Sequence, residues 1–245
     1  MKKYGNAVQL NQLVHEAKRI VFFGGAGVSV PSGIPDFRSD NGLYKKKYDY
    51  PAEVMLSHDF FFARTEAFYD FYRSAMLYPD AKPNAAHLKL AEMEAAGKLT
   101  AVITQNIDGL HQAAGSKRVL ELHGSVLRNY CIHCDEFYPL EKILNSTGIP
   151  TCDKCGGIIK PDVVLYGEGL DQRVISESVH AIERCDLLIV GGTSLSVWPA
   201  AGLIQYMRRD AKLAIVNLSA TEADRTANLV VQEGIDKVFS QITLD

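Results

Sequence analysis

The chain has 245 residues, enough for one large domain or a large one carrying a small insert. Hydrophobic residues at 47% and charged residues at 22% are the balance of an ordinary globular protein, and a formal net charge of −3 gives no general attraction for nucleic acid or anionic membrane. No run reaches the ~18 to 20 apolar residues that span a bilayer, and Met1–Asn6 carries no signal-peptide core. Four of the cysteines stand in C-x-x-C pairs, which suit a metal in a reducing compartment better than disulfides, so a cytoplasmic protein is expected.

Ala7 to Lys18 reads as an amphipathic helix, with Leu10, Leu13, Val14 and Ala17 on one face. It leads into Arg19 to Gly24, where the unbroken apolar run Ile20–Phe23 marks a strand buried on both faces. Gly24, Gly25 and Gly27 follow, letting the backbone turn sharply, approach a ligand and aim amides at a pyrophosphate. Gly25-Ala26-Gly27-Val28-Ser29-Val30 fits a dinucleotide fingerprint only in part, because Val30 stands where a third small residue belongs. Pro31, Gly33 and Pro35 then forbid a regular helix. Gly33-Ile34-Pro35-Asp36-Phe37-Arg38-Ser39 places an acid, an aromatic ring and a guanidinium on one stiff loop, a set expected to face a ligand. Asn41-Gly42 is a turn signal, the basic cluster Lys45-Lys46-Lys47 follows, and irregular sequence persists to Pro51, a length uncommon in loops that bind nothing.

Ser57 starts a helix carrying Phe60, Phe61, Phe62, Phe68, Tyr69, Phe71 and Tyr72, a stripe read as packing against the main domain. Asn84 caps a helix from Ala85 to Ala96, in which His87 reads as a partner for nearby backbone. Leu99 to Thr104 is the next buried strand, ending in Gln105-Asn106-Ile107-Asp108-Gly109-Leu110-His111. Val119 to Leu122 is a third strand, followed by His123. Ligands of open α/β sheets sit at the carboxyl ends of strands, so these polar residues point where the Gly25 turn points. Taken alone, His111 or His123 could be structural.

Cys131-Ile132-His133-Cys134 and Cys152-Asp153-Lys154-Cys155 have the spacing C-x2-C-x17-C-x2-C of a zinc ribbon. Four thiolates close a tetrahedral shell with no open position, so the metal would be structural. Lys160 to Glu168 returns the chain to the main domain, and Leu170 to Glu183 is a helix. Asp186 to Val190 is a buried strand opening on Gly191-Gly192-Thr193-Ser194; Pro199 to Arg209 is a helix; Lys212 to Val216 is a strand with Asn217 at its end. A strand near Asn228–Val231 and a helix opened by Ile235 and Asp236 complete the chain.

Gly25–Ser29 with Gly33–Arg38, Thr104–Asp108, Glu121–Gly124, the cysteine pairs and Gly167-Glu168 resemble, in order, the signatures of the sirtuins, the NAD-dependent protein lysine deacylases. The resemblance runs from Val8 to about Phe239, and Leu165-Tyr166 departs mildly from a pattern ending Phe-Phe-Gly-Glu or similar. It implies an α/β fold: a doubly wound, Rossmann-like parallel sheet binding NAD (residues 1–124 and 161–245) with a small inserted four-cysteine zinc-ribbon module (125–160). The acyl-lysine protein or peptide would lie between them, with neither nucleic acid nor membrane as a partner. The family's chemistry cleaves NAD between nicotinamide and ribose, and the acyl oxygen attacks the exposed carbon. His123, as base, takes a proton from a ribose hydroxyl, which attacks the imidate so formed, and hydrolysis gives free lysine and O-acyl-ADP-ribose.

The same resemblance assigns Asp108 and Ile107 to the nicotinamide carboxamide, Phe37 to shielding the reactive carbon, Asn106 to orienting ribose or water, and Gln105 to the ribose. Gly25, Ala26, Gly27, Val30 and Arg38 fall to the pyrophosphate, Thr193, Ser194 and Asn217 to the adenosine half, and Ile235 and Asp236 to the adenine. Val163, Val164, Leu165 and Tyr166 would add a strand to the peptide, and Cys131, Cys134, Cys152 and Cys155 would hold one zinc. Some sirtuins that remove acidic acyl groups carry Tyr-x-x-Arg; here Tyr69 matches, Tyr72 takes the arginine's place, and Arg73 is expected to point away from Tyr69. Uncharged acyl groups are therefore expected to be preferred over succinyl. A hydride-transferring dehydrogenase lacks an intact fingerprint here, and a nucleic-acid-binding ribbon lacks a basic face. Protein ADP-ribosyl transfer shares the NAD site and remains the alternative.

Overall fold

The computed structural model describes residues 4–39, 42–45 and 47–244; Asn41 of the expected turn and Lys46 of the basic cluster lie outside them. Among the described residues the strands are, in chain order, β1 (Ile20–Gly24), β2 (Leu99–Thr104), β3 (Val119–Glu121), β4 (Gly124–Cys131), β5 (Phe137–Pro139), β6 (Ile159–Val163), β7 (Leu187–Gly191), β8 (Lys212–Val216) and β9 (Leu229–Val231). Six of them form a parallel sheet in the order β3-β2-β1-β7-β8-β9.

The apolar run of β1 is unbroken because both faces of that sheet are covered. Ile20 and Phe22 meet the helices Ala7–Glu16, Ala85–Ala95 and Ile235–Phe239. Val21 and Phe23 meet Gln172–Arg184 and a 3-10 segment, Ala200–Tyr206, on the other side. All four side chains are fully buried, and each contributes ~1.5 to 3 kcal/mol of hydrophobic transfer.

The first helix opens with a capping box between Asn6 and Gln9. It stops at Glu16, short of the expected Lys18, because the amides of Lys18 and Arg19 turn away to the Asp186 carboxylate at 3.0 and 2.9 Å. The segment after Pro199 is likewise 3-10 from Ala200 to Tyr206, not a helix running to Arg209.

The aromatic stripe does not pack on the parallel sheet. Its helix breaks at Arg64 into His58–Ala63 and Thr65–Ala75, and Phe60, Phe61, Phe68, Tyr69, Phe71 and Tyr72 share a separate core with Val126, Ile143, Ile159 and Leu165. The antiparallel sheet β5-β4-β6 forms the other wall of that core. An insert confined to 125–160 is therefore narrower than the packing: its sheet runs from Gly124 to Val163, and helices from the first half of the chain complete it.

Arg73 corrects a further expectation. Residues i and i+4 share a helix face, so its guanidinium lies over the Tyr69 ring, 5.2 Å from the centroid, instead of pointing away. It donates to the carbonyls of Ile143 and Gly148 at 3.1 and 2.6 Å and to Ser146 Oγ at 2.8 Å, while the Tyr69 hydroxyl donates to the Ile159 carbonyl.

Candidate active site

β1 lies between β2 and β7, with the strand order running to β3 on one side and to β8 and β9 on the other, and this reversal of order opens a crevice at the carboxyl ends of these strands. The turn after β1 winds through two short 3-10 segments, Ala26–Val28 and Val30–Ser32, with no α-helix behind it. Its glycines serve a contact the sequence did not reveal, with the turn after β7. The Gly27 amide donates to the Gly192 carbonyl at 2.8 Å, and a Cβ on Gly27 would lie 2.8 Å from Gly192 Cα. A Cβ on Gly25 would fall 2.9 Å from Gln105 Oε1 and 2.8 Å from Thr193 Cβ, so side chain there would fill the crevice.

Polar residues from three strand ends interlock around that turn. Asn106 Nδ2 donates to Ser29 Oγ at 3.1 Å, and Ser29 donates to Asp108 Oδ2 at 2.7 Å. The Leu110 amide donates to Asp108 Oδ1 at 2.9 Å. Burial raises the Asp108 carboxyl above its ordinary range, partly offset by those donations from Ser29 and Leu110. On the β7 side Thr193 Oγ1 donates to Gln105 Oε1 at 2.8 Å, and Asn217 brackets Thr193 by accepting from its amide and donating to its carbonyl.

His123 stands at the end of β3 with Nδ1 2.9 Å from the Gln105 carbonyl. A carbonyl only accepts, so Nδ1 carries the proton and Nε2 keeps its lone pair. Burial holds His123 below the ordinary histidine range, and the Gln105 carbonyl offsets part of that. His111 and His87 are buried in a separate pair, ring centroids 4.7 Å apart, away from this network. His87 Nδ1 accepts from the Asn84 amide at 3.3 Å, the backbone role expected for it.

In the loop that follows, Asp36 turns its carboxylate inward, accepting from the amides of Arg38 and Ser39 at 3.1 and 2.9 Å. It therefore shapes the loop rather than facing a ligand, while Phe37 and Arg38 gather around Tyr44. Val30 and Ser194 are exposed at the rim. Ile235, expected at the adenine, is 4% exposed and packs against Gly191 in the main core, so its side chain is not presented to a ligand.

The segment Val163–Tyr166 alternates as a strand would: Val163 and Leu165 are buried, Tyr166 exposed. Its amides, however, are already engaged. Val164 donates to the His123 carbonyl, Leu165 to Glu168 Oε2, and Tyr166 to the Leu56 carbonyl, while the Tyr166 carbonyl accepts from His58. Residues 164–166 thus have no free amide to offer a peptide; the amides of Gly167 and Gly169 beyond them meet no protein partner among the described residues. A cavity of ≈ 420 Å³ opens nearby, lined by Leu170, Trp198, Leu203 and Tyr206 among others.

The four paired cysteines are free thiols whose sulfurs lie within 4.8 Å of one another, His133 standing outside the cluster. The Cys131–Cys155, Cys134–Cys155 and Cys134–Cys152 separations of 3.4, 3.4 and 3.6 Å approach the roughly 3.8 Å edge of a tetrahedron with ~2.3 Å zinc–sulfur bonds. The two knuckles share one design. His133 N–H points to Cys131 Sγ and Lys154 N–H to Cys152 Sγ, both at 3.4 Å. Asp135 and Gly156, each just past a knuckle, take positive φ of 57° and 74° and return their amides to the Cys131 and Cys152 carbonyls. Donors aimed at sulfur favour the thiolate, so this set fits a structural zinc.

The model of the Sir2 family matches residues 25–199. This chain belongs to the Sir2 family. A protein of Clostridium acetobutylicum named NAD-dependent protein deacetylase is 60% identical over 237 residues, covering 96% of both chains. One of the same name from Cutibacterium acnes is 49% identical over 236 residues, again covering 96% of each. Among solved structures, Sir2 with a p53 peptide and NAD+ superposes with a TM-score of 0.86 at 40% identity over 97% of each chain. Sir2 with a deacetylated p53 peptide and 3′-O-acetyl-ADP-ribose gives 0.88 at 42% identity over 96% of each.

Within this Sir2 protein two network members escaped the sequence reading. Ser29 joins Asn106 to Asp108 and is 1% exposed; its place in Gly-Ala-Gly-x-Ser was the available signal. Asn84 donates to the Val28 carbonyl and Ser32 Oγ at 2.8 and 2.9 Å, tying the glycine turn to the helix it caps. Nothing in the sequence marked that long-range role.

Proposed function

We propose that this chain is an NAD-dependent protein lysine deacetylase that releases nicotinamide, O-acyl-ADP-ribose and free lysine. The observation that carries the reading is His123, its tautomer fixed by the Gln105 carbonyl, at the crevice that also holds the Asn106–Ser29–Asp108 network. NAD, when bound, would supply the electrophilic ribose carbon that the acyl oxygen attacks as nicotinamide leaves, and the ribose hydroxyl that carries the acyl group once water has released the lysine. His123 Nε2 takes the proton of a ribose hydroxyl, as a general base does. Asp108 and Ile107 hold the carboxamide, with Asp108 kept in place by Ser29 and the Leu110 amide. Asn106 orients ribose or water, Gln105 meets the ribose, and Phe37 shields the reacting carbon from water. Gly25, Ala26, Gly27 and Arg38 line the pyrophosphate, with Val30 at its rim. Thr193, Ser194 and Asn217 take the adenosine half, and Asp236 the adenine.

The NAD-binding part comprises 1–124 and 161–245 of the chain, less the helices 52–75 that pack with the inserted module. That module holds one zinc on Cys131, Cys134, Cys152 and Cys155, which keeps its sheet folded. The substrates are acyl-lysine proteins, met along Val164 to Gly169; a net charge of −3 supports no nucleic-acid or membrane partner. No helix among the described residues is long and apolar enough to cross a membrane, and the free thiols support a reducing, cytoplasmic location.

Mass analysis of products from NAD and an acetyl-lysine peptide tests the reading. Free peptide and O-acetyl-ADP-ribose are expected, and an ADP-ribosylated peptide would favour the transferase instead. A matched succinyl peptide should turn over at least tenfold more slowly in kcat/KM. The Arg73 guanidinium is engaged by Ile143, Ser146 and Gly148, and an unpaired buried carboxylate is costly.

A further inference from the structure

Tyr44 and Tyr166 meet hydroxyl to hydroxyl, where the cofactor loop touches the peptide-side segment. The two partners are anchored very differently. Tyr166 sits on fixed backbone: its amide donates to the Leu56 carbonyl and its carbonyl accepts from the His58 amide, each at 2.9 Å. Two residues on, Glu168 accepts from the Leu165 amide at 2.9 Å and meets His58 Nδ1 and Lys160 Nζ at 3.0 and 3.1 Å. Tyr44 belongs to a loop whose backbone bonds stay within it. Leu43 donates to the Asp36 carbonyl at 2.8 Å, Tyr44 to that of Phe37 at 2.9 Å, and Lys45 to that of Gly42 at 3.1 Å. Among the described residues, the loop's contacts beyond itself are the packing of Leu43, Phe37 and Tyr44 against the second core and the bond of the Tyr44 hydroxyl. The Tyr44 ring in turn stands 5.5 Å from that of Phe37 and lies under the Arg38 guanidinium at 5.6 Å.

We propose that the Tyr44–Tyr166 hydroxyl pair is a latch that fixes the cofactor loop against the peptide-binding segment, which makes both tyrosines positioning residues linking the two substrate sites. The proposal rests on the reading of this crevice as an NAD and acyl-peptide site. Tyr166 supplies the hydroxyl at a place where the pattern Phe-Phe-Gly-Glu has only a ring, so the latch belongs to this chain's own sequence. With the latch made, Phe37 and Arg38 are already placed when dinucleotide arrives. Without it, binding must also order the loop, and that entropy weakens affinity. A peptide lying against Tyr166 would stiffen the latch, so peptide should tighten dinucleotide binding and the reverse by the same factor.

A double-mutant cycle tests this on the full-length zinc-bound protein, with ADP-ribose as the titrated probe. Tyr44→Phe and Tyr166→Phe keep both rings and remove one hydroxyl each. Each should weaken ADP-ribose binding about three- to tenfold, the range one hydrogen bond supplies, and the double variant should lose no more than the larger single loss. KM for NAD should rise more than kcat falls, tryptic cleavage after Arg38 or Lys45 should quicken, and the tightening of ADP-ribose by an acetyl-lysine peptide should shrink toward none. Losses that multiply in the double variant, or ADP-ribose binding unchanged in both singles, would overturn the latch while leaving the NAD site standing. A parent protein that binds neither ADP-ribose nor NAD would overturn the site reading and the latch with it.

Discussion

At His123, burial holds the imidazole below its ordinary range even though the Gln105 carbonyl favours the charged form. For a base the direction matters: His123 is neutral and competent at pH 6.5 and above, and loses competence as pH falls through its depressed value. The acid limb of kcat/KM should therefore have its midpoint below pH ~6.5, the unperturbed histidine value. His123→Ala should lower kcat by about 10²- to 10⁴-fold, the usual worth of a positioned base, while ADP-ribose binding survives. A limb above pH 7, or near-normal turnover in the variant, would remove His123 from the base role. Asp108 is shifted up by burial and tied to Ser29, so the two groups across the crevice are both pushed toward their neutral forms.

Among the elements, the paired knuckles make the sharpest demand. Four sulfurs within 4.8 Å of one another, two of them buried, would crowd unless a metal drew them together. Tyr138 adds to the case, donating to Cys152 Sγ at 3.2 Å while it accepts from the Asp153 amide at 2.8 Å. The knuckles close the β4 and β6 ends of a sheet that shares its core with the helices His58–Ala63 and Thr65–Ala75. Metal analysis should find one zinc per chain. Chelation or Cys152→Ser should lower the thermal midpoint by several degrees or more and expose the aromatic core to dye binding, because metal binding is coupled to folding. Zinc-free protein with an unchanged midpoint would refute a structural metal here.

For the molecule as a whole, the buried pair His87 and His111 shapes stability against pH. Burial lowers His87 to about 4 and His111 to about 3, the latter helped by His87. Neither nitrogen of His111 nor Nε2 of His87 has a partner among the described residues. Both folded values lie below the unfolded one, so the unfolded chain takes up protons that the folded chain refuses. The pair's contribution is fully present above pH ~6.5 and drains away as pH falls toward 4, at up to ~1.4 kcal/mol per pH unit for each histidine. Asp108, shifted up, opposes part of this at the acid end. Urea midpoints should fall steadily from pH 7 to 5, and His111→Leu should flatten the slope by about half. A midpoint independent of pH, or a slope unmoved in the variant, would contradict this account.

Local order carried much of the outcome. Ile20–Phe23 is apolar at every position, so only a strand covered on both faces could hold it, and β1 lies at the middle of such a sheet. Pro31, Gly33 and Pro35 ruled out a helix after the glycine turn, and two 3-10 segments stand there. The cysteine spacing alone brought four sulfurs together, because two knuckles need little beyond their own backbone to form. What sequence could not supply is partnership across long separations. Gly27 is glycine because Gly192 passes 2.8 Å from where its Cβ would be, a contact made only once β1 and β7 pair. The aromatic stripe was legible as buried but not as the core of a second lobe, since its partners lie roughly fifty to a hundred residues further on. The amides of Val164 to Tyr166 are paired by His123, Glu168 and Leu56, and Ile235 faces Gly191, because packing decides which side of an element meets the ligand. Periodicity gives an element its faces; only tertiary structure says what each face meets.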